Sequence, residues 1–451
     1  MKRETGWLLV VAWLIGLVML LTAGIYDGPL AEPALALVLL CAGVLGVYFV
    51  RLLRRAPSAA TPARVPLVAA LVGLVVFAVA IFADRRLLID TDAVPRIIHG
   101  IELAQLALLA SYVPAILWKR SEPRAWVEGR FALFTIFFVV GGASVLALSP
   151  HPHIDVFTFH TEGARALLHG ENPYLLEMRE TGPTKLTLGF VYPPTPAYLS
   201  LIALVLGGDV RWAQLTAILA TGLAMRFLAR GGWSARDDRA GSALLEDAPS
   251  LMLWLTPKAF FFIEQGWNDV FPVSFVALSL LAHARGRKRL SALLLGVALS
   301  SKQTMVLLVP LALLLGFQLV EWGIFLGTAA ILIVPLALWN YPAFHHMVVL
   351  LQGQLPPRPD GLTPMNWLYR HFGIVPRGGT GILLAVVTSA MAAWRAPRSR
   401  RAFALSAATV FFGFYVFNKW TFLNYYFFLT GLAALAAAVT AGERSESAPQ
   451  G

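Results

Sequence analysis

Apolar stretches long enough to cross a bilayer recur along this chain from its first residues to near its last. A helix needs roughly 20 mostly apolar residues to span the hydrocarbon. Inside lipid, every backbone polar group must find its partner within the spanning structure. The recurrence therefore predicts an all-α polytopic membrane protein. Composition agrees: 14% of the 451 residues are charged and 58% are hydrophobic, whereas soluble domains carry about a quarter charged residues.

Basic clusters set the expected topology, because cytoplasmic loops concentrate Lys and Arg. Lys2 and Arg3 place the N-terminus inside. The apolar run from Trp7 to Ile25 exceeds the roughly 7–15 residues of a signal-peptide core, so it reads as a retained anchor. Further spans are expected at about 33–50, 65–83, 97–118 and 131–149. Arg51, Arg54, Arg55 and Arg64 lie inside, as do Lys119, Arg120, Arg124 and Arg130, and segment 150–211 then falls outside.

Within that segment, 155–169 has helical spacing and reads as a helix lying along the membrane surface. The apolar run 197–206 is short and follows Tyr192-Pro193-Pro194; it reads as a second surface or re-entrant helix. Counting it as a span would put Arg230, Arg285–Arg289 and Arg395–Arg401 on the wrong side. The remaining spans fall at about 212–230, 248–263, 271–284, 290–301, 303–318, 322–340, 379–395, 401–417 and 424–441. This gives about fourteen, with both termini cytoplasmic.

The chain thus divides into four N-terminal membrane helices over 1–125 and a core over 126–320 that carries the outer segment 150–211. C-terminal membrane helices follow over 321–441, with an outer loop at 341–378, and then a cytoplasmic tail over 442–451.

The net charge of +11 resides in these orienting clusters, and no nucleic-acid motif accompanies it. Cys41 is the only cysteine, which excludes an intrachain disulfide. Neither zinc spacing, a phosphate-binding P-loop nor a dinucleotide fingerprint occurs, which argues against nucleotide hydrolysis and redox chemistry.

The topology gathers polar residues at one face: Asp155, His160, Glu162, Glu264, Gln265, Asn268, Asp269, Lys302, Lys419 and Asn424. A charge at bilayer depth costs about 2.5–3.5 kcal/mol or more, so convergent carboxylates and cations there outline a candidate active site. Asp155 reads either as a general base or as the cap of the helix that begins beside it. His151, His153 and His160 offer metal ligands beside Asp155, or are simply solvated loop histidines. No cofactor is expected, although a divalent metal stays open. Lys302 reads as part of a buried polar cavity or as a lysine snorkelling to the interface, and Lys419 as a second cation or part of an aromatic belt. Glu264, Asn268 and Asp269 read as site residues or as an ordinary polar turn between two spans. Glu162 reads first as a solvated face, and the loop residues Lys185, Arg358, Arg370 and His371 are bland.

Several of these segments together resemble the GT-C superfamily of membrane glycosyltransferases, and most of all the bacterial polyprenyl-phosphate-mannose-dependent mannosyltransferases. The resemblance covers roughly 130–310 and 418–426. Its carriers are the Asp155 segment, Ala164-Arg165-Ala166-Leu167-Leu168-His169-Gly170-Glu171-Asn172-Pro173-Tyr174 and Val191-Tyr192-Pro193-Pro194. Glu264-Gln265-Gly266-Trp267-Asn268-Asp269 and Gly296-Val297-Ala298-Leu299-Ser300-Ser301-Lys302-Gln303 complete it.

The resemblance implies transfer of a sugar, with mannose favoured, from a polyprenyl-phosphate donor to an extracytoplasmic glycan or glycolipid. It implies a single inverting displacement with Asp155 as base, at the cell membrane. Lys302 and Lys419 would then contact the donor phosphate. His160, Glu162, Asn172, Tyr174, Tyr192, Glu264, Gln265, Asn268, Asp269, Gln303 and Asn424 would contact substrate. Two acidic residues often stand near the base in that family; here His153 occupies the neighbouring position. Transfer of arabinofuranose or another sugar is the alternative within this chemistry. A transporter or lipid flippase is the alternative outside it, and neither repeated halves nor midplane-broken helices are visible.

Overall fold

A computed structural model of the protein describes residues 2–21, 32–54, 71, 73–74, 96–114, 122–152, 154–179, 187–231, 242–256, 259–355, 361–375 and 379–443. These residues are almost wholly helical. The helices are α1 (Lys2–Leu21), α2 (Glu32–Leu53), α3 (Arg96–Ala110), α4 (Arg124–Leu148), α5 (Asp155–Leu168), α6 (Pro194–Gly207), α7 (Trp212–Arg230) and α8 (Ser242–Trp254). They continue with α9 (Ala259–Gln265), α10 (Val270–Ala284), α11 (Lys288–Leu299), α12 (Leu319–Trp339), α13 (Pro364–Phe372), α14 (Gly379–Arg395), α15 (Arg400–Val416) and α16 (Leu423–Gly442). One-turn pieces stand between α11 and α12 and after α12.

Five helices have the length and apolar composition to cross a membrane: α2 from Ala34, α4, α7, α12 and α16. Shorter apolar helices accompany them at Thr5–Met19, Pro194–Gly207, Val270–Ala284, Gln303–Leu315 and Gly379–Arg395. The protein is a multi-pass membrane protein; fourteen complete spans are not resolved as such, and the one expected at 65–83 lies almost wholly outside the described residues. The packing is centred on α16, 94% of whose apolar window is buried, against 17% for α12. Ile331 and Leu338 on α12 are about three-quarters exposed. That is the arrangement expected when lipid, rather than protein, covers one face.

Several expected elements differ. The single span at 248–263 is two helices: α8 ends at Trp254, ahead of Pro257 in the sequence, and α9 restarts at Ala259. Proline disfavours helical geometry in the residue before it. The span at 303–318 is a 3₁₀ turn, an α-turn and another 3₁₀ turn, with Pro310 removing a helical N–H in the middle. The outer segment 341–378 is largely helical where described. Asn340 ends α12, and its side chain accepts the Ala343 N–H to start a new run through Gln354. A two-stranded antiparallel ribbon pairs Met178–Arg179 with Thr187–Leu188.

Two segments of the stretch 150–211 are helical, as expected. Segment 155–169 forms α5, and 197–206 lies within α6. Both ends of α6 return to one end of the bundle. Thr195 at its start bonds Ser300 through backbone (3.4 Å) and hydroxyl (2.7 Å), and Arg211 just after it bonds the carbonyls of Leu146 and Glu264. At 14 residues α6 is about 21 Å long, short of the roughly 30 Å hydrocarbon thickness. The clusters at Arg230, Arg285 and Arg400 lie at the opposite end.

Candidate active site

Chain reversals at one end of the bundle bring the polar residues together. Asp269, at the start of α10, and Lys302, just after α11, form an ion pair. Asp269 is fully buried and Lys302 is 6% exposed. The other Asp269 oxygen accepts from Asn424 Nδ2 at 2.7 Å, so α16 joins the same pair. The ammonium also sits 4.3 Å from the Tyr425 ring centre and 5.8 Å from that of Tyr415, favourable cation–π geometry. Tyr415 in turn bonds Thr304 at 2.6 Å.

Beside this pair lies a second polar group. Glu264 accepts from Ser149 Oγ (2.7 Å) and from Gln265 Nε2 (2.8 Å). Arg211, fully buried, clamps Asp209 through Nε and Nη2 and donates to the Leu146 and Glu264 carbonyls. Its guanidinium lies 4.9 Å from the Phe157 ring. Gln214 Nε2 donates to the Gly266 carbonyl at 2.8 Å. Gly266 has φ +67°, a region that strains residues with a Cβ. The Phe157 Cα would stand 3.7 Å from any Cβ added there. The start of α5 therefore crosses directly over the Glu264–Asp269 turn.

Asp155 is the first residue of α5, partly exposed, with Oδ1 accepting the Val156 N–H at 2.8 Å. The helix cap itself is Ile154. One residue, Val156, separates Asp155 from Phe157, so Asp155 belongs to the helix turn that crosses the Glu264–Asp269 turn. Asn268 is 2% exposed, and its Nδ2 has no hydrogen-bond partner among the described residues.

The remaining candidates join segment 155–207 to the bundle end beneath it. Gln303 Nε2 donates to Val191 O at 2.8 Å. Tyr174 OH donates to Tyr192 O at 2.9 Å, and Asn172 Oδ1 accepts the Tyr174 N–H. His160 stacks on Tyr192 with ring centres 5.4 Å apart and bonds Ser200 through Nδ1 at 3.0 Å. Burial pushes His160 down to about 3, so it is a neutral ring joining α5 to α6. Burial likewise holds the Tyr174 phenol well above its ordinary range. Tyr174 and Asn172 are buried, and their bonds are internal to the segment.

Two candidates stand apart. Glu162 points away and pairs with Arg165 at 2.7 Å, with both side chains substantially exposed. Lys419 Nζ donates to the carbonyls of Gly353 (3.1 Å) and Leu355 (2.5 Å), and partial burial lowers its pKa. Among the described residues no three His, Cys, Asp or Glu side chains gather to hold a metal. His151 is exposed, and His153 lies outside the described residues, as do Lys185 and Arg358.

Sequence reasoning missed Ser149, Asp209, Arg211 and Gln214. Asp209 and Arg211, two residues apart at the mouth of a span, were the available signal.

No curated protein matches the chain. A family model, described as glycosyltransferase family 87, matches residues 190–418, just over half of the chain. The matched residues include Glu264, Asp269, Lys302 and Arg211, while Asp155 precedes them. On that match, following the helical membrane architecture and the buried polar cluster, the chain belongs to glycosyltransferase family 87, among the GT-C-like membrane glycosyltransferases.

Proposed function

We propose that this glycosyltransferase moves one sugar, mannose in the favoured reading, from a polyprenyl-phosphate donor to a glycan or glycolipid outside the cytoplasm. The observation that carries the reading is the position of Asp155. It is a partly exposed carboxylate at the start of an amphipathic helix, laid over a buried cluster of Glu264, Asp269, Lys302 and Arg211. A carboxylate of ordinary pKa is ionised at neutral pH. It takes the proton of the acceptor hydroxyl as that oxygen bonds to the anomeric carbon. The bond from the anomeric carbon to the phosphate oxygen breaks on the opposite side, and polyprenyl phosphate leaves with the electron pair. One displacement inverts the configuration.

The leaving phosphate gains charge and needs a cation. Lys302 spends its charge on Asp269. Lys419 rests on two carbonyls, stays partly exposed and pairs with no carboxylate among the described residues, so it suits the phosphate better. Asn268, with a free amide nitrogen, and Glu264 are the side chains suited to sugar hydroxyls. The core over 126–320 holds all of these but Lys419 and Asn424; the active site would face outward, with both termini inside.

The test is reconstitution of the purified protein in liposomes with polyprenyl-phosphate mannose or polyprenyl-phosphate arabinofuranose, read by mass spectrometry of the acceptor. A new glycosidic bond of inverted configuration supports the proposal, and the productive donor fixes the sugar. Movement of the intact lipid between leaflets with no sugar transferred would establish a flippase and overturn it.

A further inference from the structure

The end of the bundle opposite the candidate site holds a cavity of about 140 Å³ where the C-terminal ends of α7, α10 and α16 meet the start of α15. One wall is apolar, formed by Phe227, Leu281 and Val439. The rim is charged, with Arg285, Arg400 and Glu443. Glu443 is already engaged: its Oε1 accepts the Arg401 backbone N–H at 3.0 Å and pairs with Arg400 Nε at 3.4 Å. Arg285 is exposed, its guanidinium 5.4 Å from the Phe227 ring. Arg287, Lys288 and Arg289 follow it, also exposed. Among the described residues, two guanidinium groups and one carboxylate stand at the rim beside an apolar wall.

We infer that this cavity binds a phosphate-bearing anion, the headgroup of an anionic phospholipid, with Arg285 and Arg400 on the phosphate and the apolar wall against the first acyl carbons. Basic pockets between membrane helices hold such headgroups because the anion gains paired contacts and the chains keep their hydrocarbon surroundings. Arg285 carries the specificity, since among the described residues it pairs with no carboxylate, whereas Arg400 meets Glu443. The site is remote from the transfer chemistry, and the inference stands whatever sugar the protein moves.

Native mass spectrometry of the purified full-length protein tests it, with phosphatidylglycerol and phosphatidylcholine of matched chains as probes and inorganic phosphate as competitor. Phosphatidylglycerol should be retained in preference to phosphatidylcholine. Arg285→Gln should weaken that retention about fivefold, the value of one basic residue near an anionic headgroup. Ala284→Leu fills the cavity without altering any charge, and it should weaken retention as well. Circular dichroism and elution volume confirm that both variants fold. Displacement by inorganic phosphate would retain the anion site while assigning it to a soluble phosphate. Equal retention of the two lipids, or undiminished phosphatidylglycerol in a folded Ala284→Leu protein, would overturn the inference; the second result would reduce it to general attraction by surface charge.

Discussion

Lys302 and Asp269 pair in a buried site, although the sequence places them at the ends of different helices, and Asn424 from α16 completes the carboxylate's contacts. The pair ties the start of α10, the end of α11 and the start of α16 into one unit beneath the outer segment. Removing one member of a buried pair strands the other, at a cost of about 3–5 kcal/mol. Lys302→Met should therefore lower the thermal unfolding midpoint strongly. The double variant Lys302→Met, Asp269→Asn should recover most of the loss. A Lys302→Met protein as stable as the parent in detergent would show that the pair contributes nothing. A stable double variant with undiminished transfer would show that the pair supports the fold alone.

Asp155→Asn keeps the size of the side chain and an oxygen able to accept the Val156 N–H. It should fold normally yet lose transfer about 10²–10⁴-fold in kcat/KM, the usual contribution of a general base. Unchanged transfer by this variant would move the base elsewhere.

Lys419 holds a positive charge on two carbonyls. Charge-assisted hydrogen bonds contribute about 1.5–3 kcal/mol, so Lys419→Gln should impair use of the lipid donor by roughly 10–100-fold. Lys419→Arg should recover part of that. Equal loss for a water-soluble acceptor at saturating donor would point to a structural role instead.

Arg211 satisfies a carboxylate, two carbonyls and an aromatic face at once. Lysine cannot reproduce that planar fork. Arg211→Lys should fold but loosen the seat of α5, lowering kcat more than it raises KM. A variant with parental kcat would show that the clamp does not position the site.

His160 gives an acid limit. Unfolded histidine takes its proton near 6.5, whereas the buried ring takes it only near about 3. Stability from this group is therefore complete above about pH 6.5 and drains as pH falls toward 3, by up to ~1.4 kcal/mol per pH unit. His160→Gln should flatten the dependence of the unfolding midpoint between pH 6 and 4. An identical slope in both proteins would show that the imidazole is not held neutral.

The sequence by itself determined the class of this protein and the polar end of its bundle. Hydrophobic runs of bilayer length leave few alternatives to helices, and Arg and Lys clusters order the loops because they resist translocation. The helices at 155–168 and 194–207 were legible as helices for the same reason, as was the polar turn at 264–269. Only the tertiary structure decided which polar residues share a site. Glu162 and Asp155 lie on one helix, yet Glu162 pairs with Arg165 away from the cluster while Asp155 stands in the turn that crosses Gly266. Arg211, unnoticed in the sequence, sits at its centre because Asp209, Leu146 and Glu264 converge from three separate helix ends. Periodicity records which face of a segment is apolar. It does not record which distant segment arrives to pair a buried charge, and in a membrane interior that pairing decides where a charge can reside.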